Sequence, residues 1–168
     1  MNKSLALALS VASVALALTG CASYQQESVA SAPPAASGKA IWAYMNKAGY
    51  TRNWSMWPGT SAYYKGNEPH GALLTTYVNG PALDAISGKR GTLPDGAMVI
   101  KENYMPGKNL AAITVMYKVA GSNPEAGDWY WVKFAPSGAV QAEGKEPMCI
   151  ACHSVKKDND YLYTRNIH

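Results

Sequence analysis

The chain has 168 residues, 48% of them apolar and 15% charged, the make-up of one globular domain, and this excludes a chain disordered over most of its length. Its 15 basic and 11 acidic residues leave a formal charge of +4, with the cations scattered singly, so nucleic-acid binding through a positive patch has little support. Phe occurs once whereas Tyr occurs 11 times and Trp 5 times, so most of the aromatic rings carry a polar handle suited to pocket walls as well as cores.

At the N-terminus, Lys3 precedes an apolar run from Leu5 to Leu18 built only from Leu, Ala, Val and Ser. The run is short for a membrane-spanning helix and has the length of the apolar region of an export signal. It closes on Leu18-Thr19-Gly20-Cys21. Small residues directly before a cysteine resemble the bacterial lipobox, in which Cys21 takes a lipid and becomes the mature N-terminus. The alternative is an ordinary signal peptide with an incidental cysteine. Ala22 and Ser23, with no Asp beside the cysteine, point by the same resemblance to the outer membrane of a bacterium and a periplasmic location. Residues up to Gly38 are rich in Ala, Ser, Gln and Pro and offer too little apolar surface to offset the entropy of ordering them. The expected division is 1–20 signal peptide, 21–38 lipidated Cys21 and flexible tether, and 39–168 folded domain.

Within that domain, Ile41, Trp42, Met45 and Ala48 fall at helical spacing before the stop at Gly49. Residues 51–69 read as an irregular loop pinned by Trp54, Trp57, Tyr63 and Tyr64. A strand is expected over 72–78, and a short helix over 79–87 with Asn79 as its cap and Pro81 in its first turn. Further strands follow over 97–104, 111–119 and 129–135, separated by Pro/Gly/Asn turns. The second of these alternates Ile113, Val115, Tyr117 and Val119 on one face with Thr114, Met116 and Lys118 on the other. The class is α+β: a mainly antiparallel sheet with an N-terminal helix and short flanking helices.

The chemistry is carried by Cys149-Ile150-Ala151-Cys152-His153, a CxxCH attachment signature for a c-type haem. Two thiols three positions apart can reach the vinyl groups on one porphyrin edge, and the next residue brings an imidazole beneath the iron. A thioredoxin-like CxxC would want a βαβ setting. A zinc site would have to recruit His70 or His168. A disulfide between Cys149 and Cys152 leaves the adjacent histidine unexplained. The expected cofactor is one covalently attached haem c, with Cys149 and Cys152 binding it and His153 ligating the metal. An open opposite position would bind small molecules, whereas a second Met or His ligand would make an electron carrier. His70, in Glu68-Pro69-His70-Gly71, reads as a structural or supporting residue in preference to an iron ligand.

A CxxCH placed last, after a set of strands, stands with Leu93-Pro94-Asp95-Gly96-Ala97-Met98-Val99-Ile100-Lys101-Glu102, Asp128-Trp129-Tyr130-Trp131 and Asp160-Tyr161-Leu162-Tyr163-Thr164. Together these resemble the cytochrome P-460 family and its relatives, the cytochromes c′-beta, over most of 39–165. The resemblance implies a largely antiparallel domain, a homodimer, a c-type haem with one open axial position, and oxidation of hydroxylamine in the family enzyme. It also implies that Lys101 matches the lysine that cross-links to the porphyrin. A desolvated amine of that kind is a nucleophile, although alternation alone is equally consistent with Lys101 on a solvated face. Thr114 stands at the position of the family's distal carboxylate, and Leu74 near that of its arginine. Leu74, Ile113, Thr114 and Met116 thus imply a less polar distal pocket, suited to small diatomic or nitrogenous ligands such as nitric oxide. Further expected partners are a redox cytochrome and the membrane through the lipid. The rival readings are an electron-transfer cytochrome with two axial ligands and a haem-free surface lipoprotein.

Overall fold

The computed structural model describes residues 32–168. The apolar export segment, the lipobox with Cys21 and the tether through residue 31 lie outside the described residues. The last tether residues are already held by the domain: the Tyr117 hydroxyl donates to the Pro34 carbonyl at 2.9 Å, and the Gly38 N–H donates to the Glu143 carboxylate.

Ser37 caps α1 (Gly38–Lys47), its hydroxyl accepting from the Ala40 N–H. One helical turn apart, Ile41 and Met45 point the same way and are fully buried. Gly49, at φ +60°, turns the chain into the single turn α2 (Tyr50–Asn53). The loop expected over 51–69 proves to hold two further strands, β1 (Ser55–Met56) and β2 (Tyr64–Lys65), each only two residues long. Both pair antiparallel with β3 (Leu73–Val78), β1 at one end and β2 at the other. Helix α3 (Gly80–Ser87) starts, as expected, at Asn79 with Pro81 in its first turn.

The remaining strands are β4 (Met98–Tyr104), β5 (Leu110–Lys118), β6 (Trp129–Phe134) and β7 (Val140–Gly144). They follow β3 as antiparallel neighbours in chain order, giving the spatial order β1-β3-β4-β5-β6-β7 with β2 beside β3. Short turns make this possible. At the β6–β7 turn Gly138 has φ +88°, and a Cβ there would run into the Trp42 ring, so glycine is needed twice over.

Alternation along each strand divides the sheet into two faces. One face carries Met98, Ile100, Ile113, Val115, Tyr117, Val132 and Phe134, packed beneath α1 and α2. The other carries Val78, Val99, Met116 and Trp131, which the strand register sets side by side. This second face packs against α3 and the C-terminal segment, with Cys149 and Ile150 at its border. Helix α4 (Pro147–His153) and a 3-10 stretch over Ser154–Asn159 complete the chain. The architecture is α+β with a mostly antiparallel sheet.

Candidate functional site

Helix α4 carries the CxxCH. Pro147 opens it, where its missing N–H costs nothing. Three residues apart on a helix, Cys149 and Cys152 lie on one side; both are free thiols, Cys149 half-buried and Cys152 exposed. Burial pushes the Cys149 thiol pKa up, with nearby Glu146 adding to the shift. His153 ends the helix, and its side chain is buried. Its ring lies among Trp131 (4.7 Å between centroids), Tyr163 (5.2 Å) and His70 (6.0 Å). The Tyr163 hydroxyl donates to the Cys152 carbonyl at 2.8 Å, tying the helix end to the segment that follows.

His153 Nδ1 lies 2.6 Å from the Tyr161 carbonyl oxygen. A carbonyl only accepts, so Nδ1 carries the hydrogen and Nε2 presents its lone pair. The carbonyl is aimed by an unusual turn, in which Asp160 and Tyr161 both take left-handed backbone, at φ +52° and +65°. Asp160 anchors that turn with three contacts. Its carboxylate receives Lys118 Nζ at 2.5 Å and the Leu93 N–H at 2.8 Å, and its carbonyl receives Trp129 Nε1 at 2.9 Å. Lys118 is also buried; it donates to the Gly127 carbonyl at 2.7 Å and sits 4.0 Å from the centre of the Trp129 ring. Desolvation lowers the Lys118 pKa, and the Asp160 charge opposes that shift.

Opposite α4, the strand register lays out three rows on one sheet face. Val78, Val99, Met116 and Trp131 form the first, Thr76, Lys101, Thr114 and Lys133 the second, and Leu74, Asn103 and Ala112 the third. Lys101 therefore shares the face of the core next to α4. Desolvation pulls its pKa down to about 8. Thr114 lies directly across from Lys101, its hydroxyl 3.3 Å from Asn103 Nδ2 and 3.4 Å from the Lys101 carbonyl. Met116 lies one row nearer the core that Cys149 and Ile150 border.

Ile113 corrects the sequence reading. It lies on the other face, among Ile100, Val115 and Phe134, because its neighbour Thr114 takes the α4 side and the strand period of two leaves it no choice. Glu102 also points away, held by the hydroxyls of Tyr50 at 2.7 Å and Tyr104 at 2.6 Å. The sequence reading gave His70 a supporting role; the fold sets it next to His153. His70 Nδ1 lies 3.0 Å from Asn103 Oδ1. Burial first, and then the charges of Lys101 and His153, pull the His70 pKa down to about 4, against the opposing hydrogen bond that His70 donates to Asn103. No local pattern around Glu68-Pro69-His70 announces this, because the pairing is made across the fold.

A c-type haem suits this set of donors. Two free thiols sit one helical turn apart, beside an imidazole whose Nε2 is unprotonated. Trp131 Nε1, on the same face, is buried with no hydrogen-bond partner, a donor that the protein itself leaves unmatched. Among the described residues, no group of three or more His, Cys, Asp or Glu gathers as a metal site. No curated protein matches the chain. Residues 50–164, which span β1 to β7, α4 and the Asp160 turn, match the family model Cytochrome P460. A haem cofactor follows from that match, and the chain belongs to the cytochrome P460 family.

Proposed function

We propose that this chain is an exported, lipid-anchored c-type haem protein of the bacterial periplasm that binds or oxidises small nitrogen species such as nitric oxide and hydroxylamine. The observation that carries the reading is His153: buried, with Nδ1 committed to the Tyr161 carbonyl and Nε2 free, directly after two thiols that share a helix side. Cys149 and Cys152 would attach the porphyrin, and His153 would ligate its iron through Nε2. The bound haem supplies a redox-active iron able to take a small ligand.

The remaining residues shape what reaches that iron. Lys101, with a pKa near 8, keeps an appreciable neutral fraction near neutral pH, the nucleophilic form of the amine, and would lie beside the bound porphyrin. Thr114 offers a hydroxyl but cannot serve as a general base near neutrality. Glu102, the carboxylate between Lys101 and Asn103 in sequence, is turned to the other face. A wall of Leu74, Thr114 and Met116 favours neutral ligands over charged ones. One observation favours a second reading, a six-coordinate electron carrier: the 6.0 Å spacing of His70 and His153.

The test is an optical spectrum of ferrous holoprotein before and after nitric oxide and hydroxylamine. A changed Soret band with either supports ligand chemistry at the iron. A spectrum that neither reagent alters contradicts it and leaves the electron carrier.

A further inference from the structure

Helix α4 carries a second pattern besides its thiols. Met148 and Val155 are the two most exposed large apolar side chains among the described residues, 79% and 69% exposed. The 3-10 stretch continues α4 without a break past Val155, so Met148, Cys152 and Val155 form one stripe along its outer side. Cys152 is itself exposed. Tyr163, also exposed, widens the stripe. Its hydroxyl holds the Cys152 carbonyl, and its ring stands edge-on to His153 at 5.2 Å between centroids.

Single exposed apolar residues are ordinary, but a contiguous set beside a reactive centre marks a contact surface. The porphyrin would not cover this one. At 3.6 residues per turn, Met148 and Val155 lie roughly 100° round the helix from the mean direction of Cys149, Cys152 and His153, with Cys152 at the boundary. Cations surround the stripe: Lys145, Lys156, Lys157 and Arg165 are all exposed, against the acids Glu146 and Asp158. Lys156 Nζ sits 5.8 Å from the centre of the Tyr163 ring. A small apolar centre with a cationic rim suits an acidic protein surface that docks and releases quickly, as redox encounters do. A bilayer would attract the same lysines, but it has no use for a surface ring that touches His153.

We propose that the outer side of α4, centred on Met148, Val155 and Tyr163, docks a soluble one-electron carrier protein whose redox group lies within an acidic rim. This rests on the haem reading above. Oxidation of a nitrogen species leaves electrons that must leave the protein; in each encounter ferrous iron would become ferric and the carrier's centre would gain that one electron, with no bond made or broken.

The test uses holoprotein with two probes, an acidic blue-copper protein and a basic c-type cytochrome. Carbodiimide, which joins lysine amines to carboxylates, should give a one-to-one adduct with the acidic probe, and peptide mass mapping should find Lys145 or Lys156 in the link. Oxidation of ferrous holoprotein by that probe should slow as salt rises. At low salt, Lys145→Glu with Lys156→Glu should slow it about tenfold, whereas the same charge change on α1, Lys39→Glu with Lys47→Glu, should slow it less than about twofold. Met148→Gln with Val155→Gln should weaken the complex and leave its salt dependence in place. Equal slowing by the two lysine pairs, links confined to other lysines, or faster reaction with the basic probe overturns the inference and leaves the haem reading intact. So does a holoprotein dimer that Met148→Gln with Val155→Gln splits in sedimentation, which gives the stripe to a second copy, or binding to phosphatidylglycerol vesicles that blocks none of the reaction with the acidic probe yet is lost in Lys145→Glu with Lys156→Glu. A colourless matured protein overturns the haem reading itself.

Discussion

At the scale of single residues, buried charge and proton position decide what the site can be. Asp160 is the clearest case: one carboxylate neutralises Lys118 and holds the left-handed turn that presents the Tyr161 carbonyl to His153. Asp160→Asn should therefore leave a buried ammonium without its counter-charge and destabilise the fold by about 3–5 kcal/mol. Lys118→Met added to it should recover part of the loss, which denaturant midpoints of the single and double variants measure; strictly additive losses would contradict the pairing. His70 sets a pH dependence. Its folded pKa, about 4, lies below its ordinary value, so between about pH 6.5 and 4 the unfolded chain holds a proton that the native state refuses. The stability it contributes is complete above that window and is lost as pH falls through it. The denaturant midpoint of the haem-free chain should drop on acidification from pH 6.5 to 4, and His70→Gln should drop less.

Elements are where the sequence speaks most plainly. Alternation marks β4, β5 and β6 because each has one face under α1 and the other toward α4, and the Asn79 cap announces α3. The two-residue strands β1 and β2 left no such trace: two residues carry no period, and their pairing with β3 is tertiary. Ile113, which the family resemblance sets in the distal pocket with Thr114, sits on the opposite face because the strand turns the two side chains apart. The nearness of His70 to His153 leaves no local trace for a related reason, since its neighbours Asn103 and His153 come from β4 and α4, far away in sequence. Asn79 does more than its cap motif implies. Its Oδ1 accepts from the Ala82 and Met98 N–H groups and its Nδ2 donates to the Gly96 carbonyl, clasping the start of α3 to the start of β4. Asn79→Ala should cost about 1–3 kcal/mol, at or above a simple cap, because the Met98 N–H is left buried and unmatched. Thermal or urea unfolding would show this, and a loss below half a kcal/mol, roughly the level of an exposed surface change, would contradict the clasp.

For the molecule as a whole, one sheet does two jobs. Its first face, under α1 and α2, is a conventional apolar core that gives rigidity. Its second face grades from the core residues Val78, Val99 and Met116 into the polar row of Lys101 and Thr114, and α4 brings the thiols and His153 up to that border. The Asp160 turn then fastens the C-terminal segment back onto β5 and β6 through Lys118 and Trp129, so the residue that would ligate iron is oriented from both ends of the chain that carries it. The most direct measurement is the mass of the tryptic peptide containing Cys149 and Cys152 from protein matured in a bacterial periplasm. The account predicts that peptide heavier by one haem, joined through both sulfurs. A peptide with free thiols, or with the two sulfurs joined to each other, would contradict it.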